Sequence, residues 1–210
     1  MLRLHIVYED EAVLVLNKPA GLLSVPGRGA NKYDSLASRV QQKYPDACIV
    51  HRLDMATSGL IVMARGKNAQ RILSMAFAER QVEKTYLAKV AGCPSTFCGE
   101  INLPLQADWP YRPRQKIDEV SGKPSLTYWS IAKKYPHSSH ALLQLKPSTG
   151  RTHQLRVHLA AIGHPILGDT LYAPPEFAFT FPRLMLQANT LTFSHPFKLK
   201  TLKFTLSPEF

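Results

Sequence analysis

The chain has 210 residues, of which 45% are hydrophobic and 20% charged, enough apolar side chains for a folded core and too many for a disordered chain. Lysine and arginine number 26 against 15 aspartates and glutamates, so the net charge of +11 predicts a polyanionic partner, a nucleic acid before an acidic membrane surface. No apolar run approaches the roughly 18 residues of a membrane span, and 3 cysteines without a C-x-x-C pair suit a reduced, cytoplasmic protein.

Hydrophobic patterning predicts an α+β fold. Apolar runs predict strands at residues 13–16, 60–64, 82–91, 124–134, 139–146, 184–193 and 200–206. The predicted helices are Asp34 to Tyr44, with Asp34 as N-cap, then residues 67–81, then residues 151–162 with Gly163 as the stop. Because strands follow one another with few helices between them, we expect one domain over residues 1–210 with a large mixed, mostly antiparallel sheet.

The segment 106–123 is too polar and too rich in proline for an interior element, and we expect an exposed loop. It combines aromatic and cationic side chains, namely Trp109, Tyr111, Arg112, Arg114 and Lys116. Aromatic rings can stack on bases while cations meet phosphates, so this loop is a candidate nucleic-acid surface. The alternative is a surface loop whose charges are simply solvated.

The segment 51–59 is a polar loop between two apolar strands, and it contains Arg52 and Asp54. On an extended backbone, residues two apart face the same side, so Arg52 would help to keep the Asp54 carboxylate ionised. The alternative is an Asx-turn in which Asp54 accepts from the amides near Ala56 or Thr57.

Three further positions are candidates. Tyr86 shares a strand face with apolar residues and is either a core tyrosine or a proton acceptor in an apolar pocket. Arg151 would occupy the first turn of the third helix, where the dipole disfavours a cation unless an anion binds nearby. Arg156 lies beside an apolar stripe, so its guanidinium either points into a cleft or pairs with a structural carboxylate. The spacing of His153, His158 and His164 does not suit a metal site, and we expect none.

Four blocks of the sequence resemble the motifs of the RluA family of RNA pseudouridine synthases. The block His51–Gly59 resembles the family signature. The others, in the family's order, are Asn17–Leu22, Lys84–Ala88, and Gly150–Leu159 followed by Gly163–Asp169. The resemblance covers nearly the whole chain and implies one catalytic domain with no separate N-terminal RNA-binding domain.

The resemblance also implies roles for individual residues. Asp54 would be the catalytic aspartate, and Arg156 the basic residue paired with it. Arg52 would fill the gap left by a flipped uridine, and Tyr86 would line the base pocket and help to remove the C5 proton. We add Arg151 and His153 to the RNA-binding residues of the 106–123 loop. The implied substrates are large-subunit ribosomal RNA and the anticodon stem-loop of tRNA, with no cofactor, no membrane association and a monomeric enzyme.

Two other functions are open on the residues alone. An RNA-binding module without turnover would explain the charge and the 106–123 loop but gives no reason for Asp54 and Arg156. A nucleoside or glycoside hydrolase using Asp54 would usually need a second carboxylate as acid, and none stands out in the motif blocks.

Overall fold

The structure is a computed structural model that describes residues 4–27, 29, 33–135 and 138–210. The chain divides into two compact units. The first unit comprises Met1–Lys84 and Gln187–Pro208, and the second comprises Thr85–Leu186 and Glu209–Phe210. One catalytic domain over residues 1–210 stays a prediction.

The described strands and helices follow one another in a mixed order along the chain. They are β1 (Ile6–Glu9), β2 (Val13–Lys18), α1 (Leu36–Lys43), β3 (Ala47–Ile49), β4 (Ser58–Arg65), α2 (Gly66–Ala78), β5 (Glu83–Ala91), β6 (Cys98–Asn102), β7 (Leu105–Ala107), β8 (Gln115–Ile117), β9 (Leu126–Lys134), β10 (His140–Pro147), α3 (Gln154–Ala161), α4 (Pro175–Ala178), β11 (Leu186–Ser194) and β12 (Thr201–Thr205).

The first unit is a mixed sheet with two helices. Its strands run β1-β2-β4-β11, with β3 on β4 and β12 on β11, and all of these pairs are antiparallel except β4–β11. The apolar runs of β2 and β4 are buried on both faces, which explains why they show no alternation. Residues of α2 and β11 complete the core, including Ala69, Leu73 and Phe193.

The second unit has an antiparallel sheet in the order β5-β10-β9-β6 and a separate two-stranded hairpin, β7–β8. Every side chain of α3 from Gln154 to Leu159 is buried, so this helix lies inside the unit. It ends at Ala161, and Gly163, the predicted stop, follows with a φ of +79° that suits glycine.

The predicted α+β class with a mixed, mostly antiparallel sheet is confirmed. Three local expectations are wrong. Ser35, not Asp34, caps α1, because its hydroxyl accepts from the amide of Ser38, whereas Asp34 pairs with Arg39. Helix α3 begins at Gln154 instead of 151. The segment 106–123 is exposed but includes the hairpin strand β8.

Candidate functional site

The turn that carries Asp54 is held by backbone contacts on both sides. The hydroxyl of Ser24 donates to the carbonyl oxygen of Leu53 at 2.7 Å and accepts from its amide at 3.1 Å. On the other side, the carbonyl oxygen of Met55 accepts from the amide of Gly21 at 2.8 Å. The Asp54 carbonyl closes the turn by accepting from the Thr57 amide at 3.1 Å. This turn is therefore a fixed part of the first unit.

Lys18, at the end of β2, is a fully buried cation beside this turn. Its Nζ donates to three carbonyl oxygens, those of Pro19 at 2.8 Å, Leu22 at 2.8 Å and Met55 at 3.1 Å. Burial lowers the pKa of Lys18 to about 8, and the attraction of the Asp54 carboxylate partly opposes that shift. No role for Lys18 was predicted from the sequence, although a lysine that ends a buried apolar strand is itself an unusual signal.

The side chains of segment 51–54 have different surroundings. Arg52 is exposed, Leu53 is buried and Asp54 is partly buried. The His51 ring stacks on Phe77 with ring centroids 4.2 Å apart, and its Nε2 accepts from the amide of Val62 at 3.1 Å. Burial lowers the pKa of His51 to about 3, so this ring is neutral and anchors the segment to β4.

The other two predicted catalytic residues lie in the second unit. Tyr86 is a partly buried residue of β5, opposite Leu145 of β10. Arg156 is 4% exposed on α3 and forms a bidentate pair with Asp169, from Nε to Oδ2 at 2.8 Å and from Nη2 to Oδ1 at 2.6 Å. The pairing of Arg156 with a structural carboxylate, one of the two sequence alternatives, is thus present. Its pairing with Asp54 stays a prediction.

The Arg156–Asp169 pair has a consequence for any test of Arg156. Asp169 is fully buried, and its Oδ1 also accepts from the amides of Leu171 and Tyr172. Removing one partner of a buried ion pair costs about 3–5 kcal/mol, because the other charge stays buried without compensation. Substitution of Arg156 therefore tests folding as well as catalysis.

The predicted RNA-binding residues of segment 106–123, among them Trp109, Arg112, Arg114 and Lys116, belong to the hairpin. We use the name cationic hairpin for residues 105–117. Trp109 is 62% exposed, and the Arg112 guanidinium stacks on its ring at 3.2 Å from the centroid. Arg114 and Lys116 are also exposed. The hairpin thus presents an aromatic face and several cations to solvent, as a single-strand or loop-binding RNA surface requires.

Arg151 and His153 lie before α3, not in its first turn as expected. His153 has φ 54° and ψ 16°, a left-handed conformation that interrupts the helix and makes His153 its N-cap position. Arg151 is exposed, and its Nε donates to the carbonyl oxygen of Pro124 at 3.4 Å. The dipole argument for an anion beside Arg151 therefore loses its basis. Both residues stay predicted RNA contacts.

Two residues for which the sequence predicted no role organise this region. Asp169 holds Arg156, and Tyr172 accepts through its Oη from the amide of Gln115 in the hairpin at 2.8 Å. Asp169 closes a motif block, so its presence was visible in the sequence. Its pairing with a residue 13 positions away was not, because only the fold brings the two together.

The described residues include one group with metal-ligand chemistry, Asp10, Glu11 and His195. Here His195 Nδ1 accepts from two backbone amides, so the proton lies on Nε2 and is donated to Asp10 at 3.0 Å. The two Asp10 oxygens also accept from the Tyr8 hydroxyl and from the amides of Ala12 and Val13. These bonds explain the cluster as a structural network.

Comparison with known proteins identifies the class. Residues 12–161 match the family described as RNA pseudouridylate synthase. This chain therefore belongs to that family, whose members are isomerases that convert uridine in RNA to pseudouridine. Family membership supports isomerisation over a binding module without turnover or a hydrolase. Among the described residues, no helix has both the length and the apolar character of a membrane span.

The similar proteins agree with one another. The chain is 49% identical over 207 residues to the dual-specificity RNA pseudouridine synthase RluA of Escherichia coli K12. This alignment covers 99% of this chain and 94% of the relative. The RluA protein of Pasteurella multocida matches equally, at 49% identity over the same shares. Among solved structures, human RNA pseudouridylate synthase domain containing 1 superposes with a TM-score of 0.81 at 29% identity, over 98% of this chain and 83% of that one.

Proposed function

We propose that this protein is a dual-specificity pseudouridine synthase that isomerises specific uridines in large-subunit ribosomal RNA and in the anticodon stem-loop of tRNA. The observation that carries this proposal is the 49% identity, over 99% of the chain, to relatives named dual-specificity RNA pseudouridine synthase. The net charge of +11 and the exposed cationic hairpin suit a polyanionic substrate of either kind.

Asp54 is the proposed catalytic carboxylate. Isomerisation breaks the bond from N1 to C1′, turns the uracil and joins C5 to C1′, so no atoms or electrons are gained or lost and no cofactor is required. An ionised carboxylate can attack C1′, attack the uracil ring or remove a sugar proton, and all three routes use the same group. The fixed turn and the buried Lys18 cation beside it support a preorganised Asp54.

The remaining roles follow from the motif resemblance. The target base is stacked in RNA and must be extruded, at a cost of a few kcal/mol. The exposed Arg52 guanidinium would stack in the vacated space and offset part of that cost. Tyr86 would line the base pocket and relay the C5 proton. Arg156 would serve as the basic partner of the aspartate.

Location and assembly complete the proposal. A substrate in the ribosome and in tRNA implies a cytoplasmic enzyme. We propose a monomer. Light scattering of the purified protein measures its mass directly, and a dimer at micromolar concentration would contradict this part.

Site mapping tests the activity. Unmodified large-subunit ribosomal RNA and tRNA anticodon stem-loops are incubated with the protein and then treated with carbodiimide, which marks pseudouridine, while mass spectrometry confirms an unchanged mass. We expect one or a few modified uridines in each RNA. Modification of only one RNA class would contradict dual specificity, and an abasic product would contradict isomerisation.

Substitution of Asp54 by asparagine tests the catalytic assignment. The change keeps the size of the side chain and removes the charge, so we expect turnover to fall by 10²- to 10⁴-fold or more while RNA affinity stays within roughly three-fold. Asp34→Asn, which breaks only an exposed pair with Arg39, is the matched control and should keep full activity. Turnover of Asp54→Asn within about ten-fold of the unsubstituted enzyme would contradict the role of Asp54.

A further inference from the structure

The cationic hairpin is attached to the rest of the second unit through the buried Leu105 at its base and through contacts of β8 with α3. Among the described strands, β7 and β8 pair only with each other. An isolated bridge between Leu105 and Lys123 lies at the base of the hairpin. At the opposite end of β8, the amide of Gln115 donates to the hydroxyl of Tyr172 at 2.8 Å. This bond therefore fixes the part of the hairpin next to Arg112 and Arg114.

Tyr172 also contacts the beginning of α3. Its Oη lies 2.6 Å from His153 Nδ1, and the two rings meet edge to face with centroids 5.5 Å apart. The oxygen has two lone pairs and one proton, so it can accept from Gln115 and still complete a hydrogen bond with the imidazole. His153 occupies a left-handed conformation that is uncommon for a residue other than glycine.

Two guanidinium groups lie near the ring of Tyr172. The Cζ of Arg114, in the hairpin, is 5.5 Å from the ring centroid, and the Cζ of Arg156, on α3, is 5.0 Å away. Both distances suit cation–π attraction. One tyrosine side chain thus links a cation of the hairpin to the buried Arg156.

The backbone of Tyr172 is itself anchored. Its amide donates to Asp169 Oδ1 at 3.2 Å, and the same carboxylate forms the bidentate pair with Arg156. The anchor is almost completely buried, with the Asp169 side chain 1% exposed. A tyrosine on a rigid base, with its hydroxyl on a hairpin amide, has the geometry of a support for that hairpin.

We propose that Tyr172 is a positioning residue that fixes the cationic hairpin against the start of α3 for RNA binding, an inference that rests on the proposed function of the hairpin. Tyr172 touches no reacting atom in this scheme. Its hydroxyl holds the Gln115 amide and so sets where the cations of the hairpin meet the RNA backbone. Its ring attracts the Arg114 guanidinium and so keeps this cation close to the start of α3. The ligand is the phosphate backbone of a folded RNA.

Tyr172→Phe is the sharpest variant, because it removes the hydroxyl and keeps the ring with both cation–π contacts. The amide exchange of Gln115 should accelerate by about five-fold or more, since its acceptor is lost. RNA binding should weaken by roughly three- to ten-fold, seen as a raised KM with kcat within about two-fold. Tyr128→Phe, a partly exposed tyrosine of β9 outside the proposed sites, is the matched control and should change neither quantity.

The outcomes separate this inference from the proposed function. Faster exchange at Gln115 together with a raised KM supports the positioning role. Unchanged exchange overturns it, and so does faster exchange with unchanged KM. If Arg114→Ala still weakens RNA binding in either of these cases, the RNA-binding role of the hairpin stands without Tyr172. If neither Arg114→Ala nor Arg112→Ala weakens binding, the hairpin is not an RNA surface, and the inference fails with that part of the proposed function.

Discussion

A lysine whose side chain is completely buried is expensive to fold unless carbonyl oxygens and a counter-charge replace its hydration. Lys18 has both, through the carbonyl oxygens of Pro19, Leu22 and Met55 and the attraction of Asp54. The contact with Met55 matters most for function, because Met55 directly follows the proposed catalytic residue. Lys18 therefore supports Asp54 in two ways, by fixing the turn and by placing a positive charge beside it.

The lowered pKa of Lys18 gives the reaction an alkaline limit. Because this pKa is about 8, the ammonium loses its proton as the pH rises through that value, and Asp54 then loses a favourable charge. We expect kcat to decline above about pH 8 in the unsubstituted enzyme. Lys18→Met should have lower activity at neutral pH and no decline centred there. A kcat of the unsubstituted enzyme that stays constant well into the alkaline range would contradict this. Lys67→Met, which removes an exposed lysine, is the control and should keep the pH dependence of the unsubstituted enzyme.

The titration of Lys18 also predicts how the free energy of unfolding changes with pH. The folded pKa of Lys18 lies below the ordinary value of 10.5, so between the two the unfolded chain binds more protons than the folded one. The contribution of Lys18 to the free energy of unfolding must then rise with pH across that window. Urea unfolding of the enzyme and of Lys18→Met at the two ends of the window measures this contribution as the unfolding free energy of the enzyme minus that of the variant. A signed difference that falls as the pH rises would be inconsistent with a lowered pKa.

At the scale of elements, the Asp54 turn is positioned by the strand that follows it. Strand β4 starts at Ser58 and pairs in parallel with β11, with Ser58 opposite Gln187 and Gly59 opposite Ala188. Gly59 has a φ of +111°, and a Cβ on this residue would overlap the backbone of Ala188. Only glycine satisfies both the conformation and the close approach, so β11 is close enough to β4 to fix the start of that strand.

Gly59→Ala should therefore destabilise the protein severely. The substitution combines an unfavourable φ with a clash against backbone that cannot yield, and we expect a loss of about 3 kcal/mol or more in the free energy of unfolding, measured by urea denaturation. Gly150→Ala is the control, since nothing lies within 4 Å of its added Cβ, and it should change stability by less than about 0.5 kcal/mol. Equal stabilities of the two variants would refute the close approach at Gly59.

The elements also show what the sequence could predict. The runs in β2 and β4 were recognisable because burial on both faces leaves a continuous apolar pattern. The β7–β8 hairpin was not, because its strands have 3 residues each and contain little hydrophobic pattern. The start of α3 was misplaced because the left-handed conformation of His153 depends on tertiary contacts, including Tyr172, and no propensity encodes them.

The candidate site also contains residues that the sequence predicts and contacts that only the structure reveals. Asp54, Tyr86 and Arg156 are predicted from motif blocks. Lys18 also lies in such a block, Asn17–Leu22, but its role, like that of Tyr172, depends on contacts that the fold creates. The Met55 carbonyl is 37 positions from Lys18, and the Gln115 amide is 57 positions from Tyr172. Local sequence patterns carry no information about pairings of that separation, so these two contacts could be found only in the structure.

At the scale of the whole molecule, the net charge of +11 gives a general attraction to RNA that is independent of where the cations lie. We propose that the cationic hairpin adds a localised part, because Arg112 and Arg114 are exposed on one short segment beside Trp109. Salt distinguishes the two parts. Each phosphate contact releases counterions, so the slope of log affinity against log salt concentration counts the contacts that are made.

Arg112→Ala and Arg114→Ala should each make that slope shallower, by about 0.7 for a contact to single-stranded RNA and about 0.9 for a duplex. The measurement is RNA affinity between roughly 50 and 200 mM salt, where such contacts are most apparent. Lys200→Ala, in the turn between β11 and β12, also lowers the net charge by one but lies outside the hairpin, so its slope should equal that of the unsubstituted protein. Equal slopes in all three variants would mean that RNA responds only to the overall charge, and the RNA surface would then have to be sought outside the hairpin.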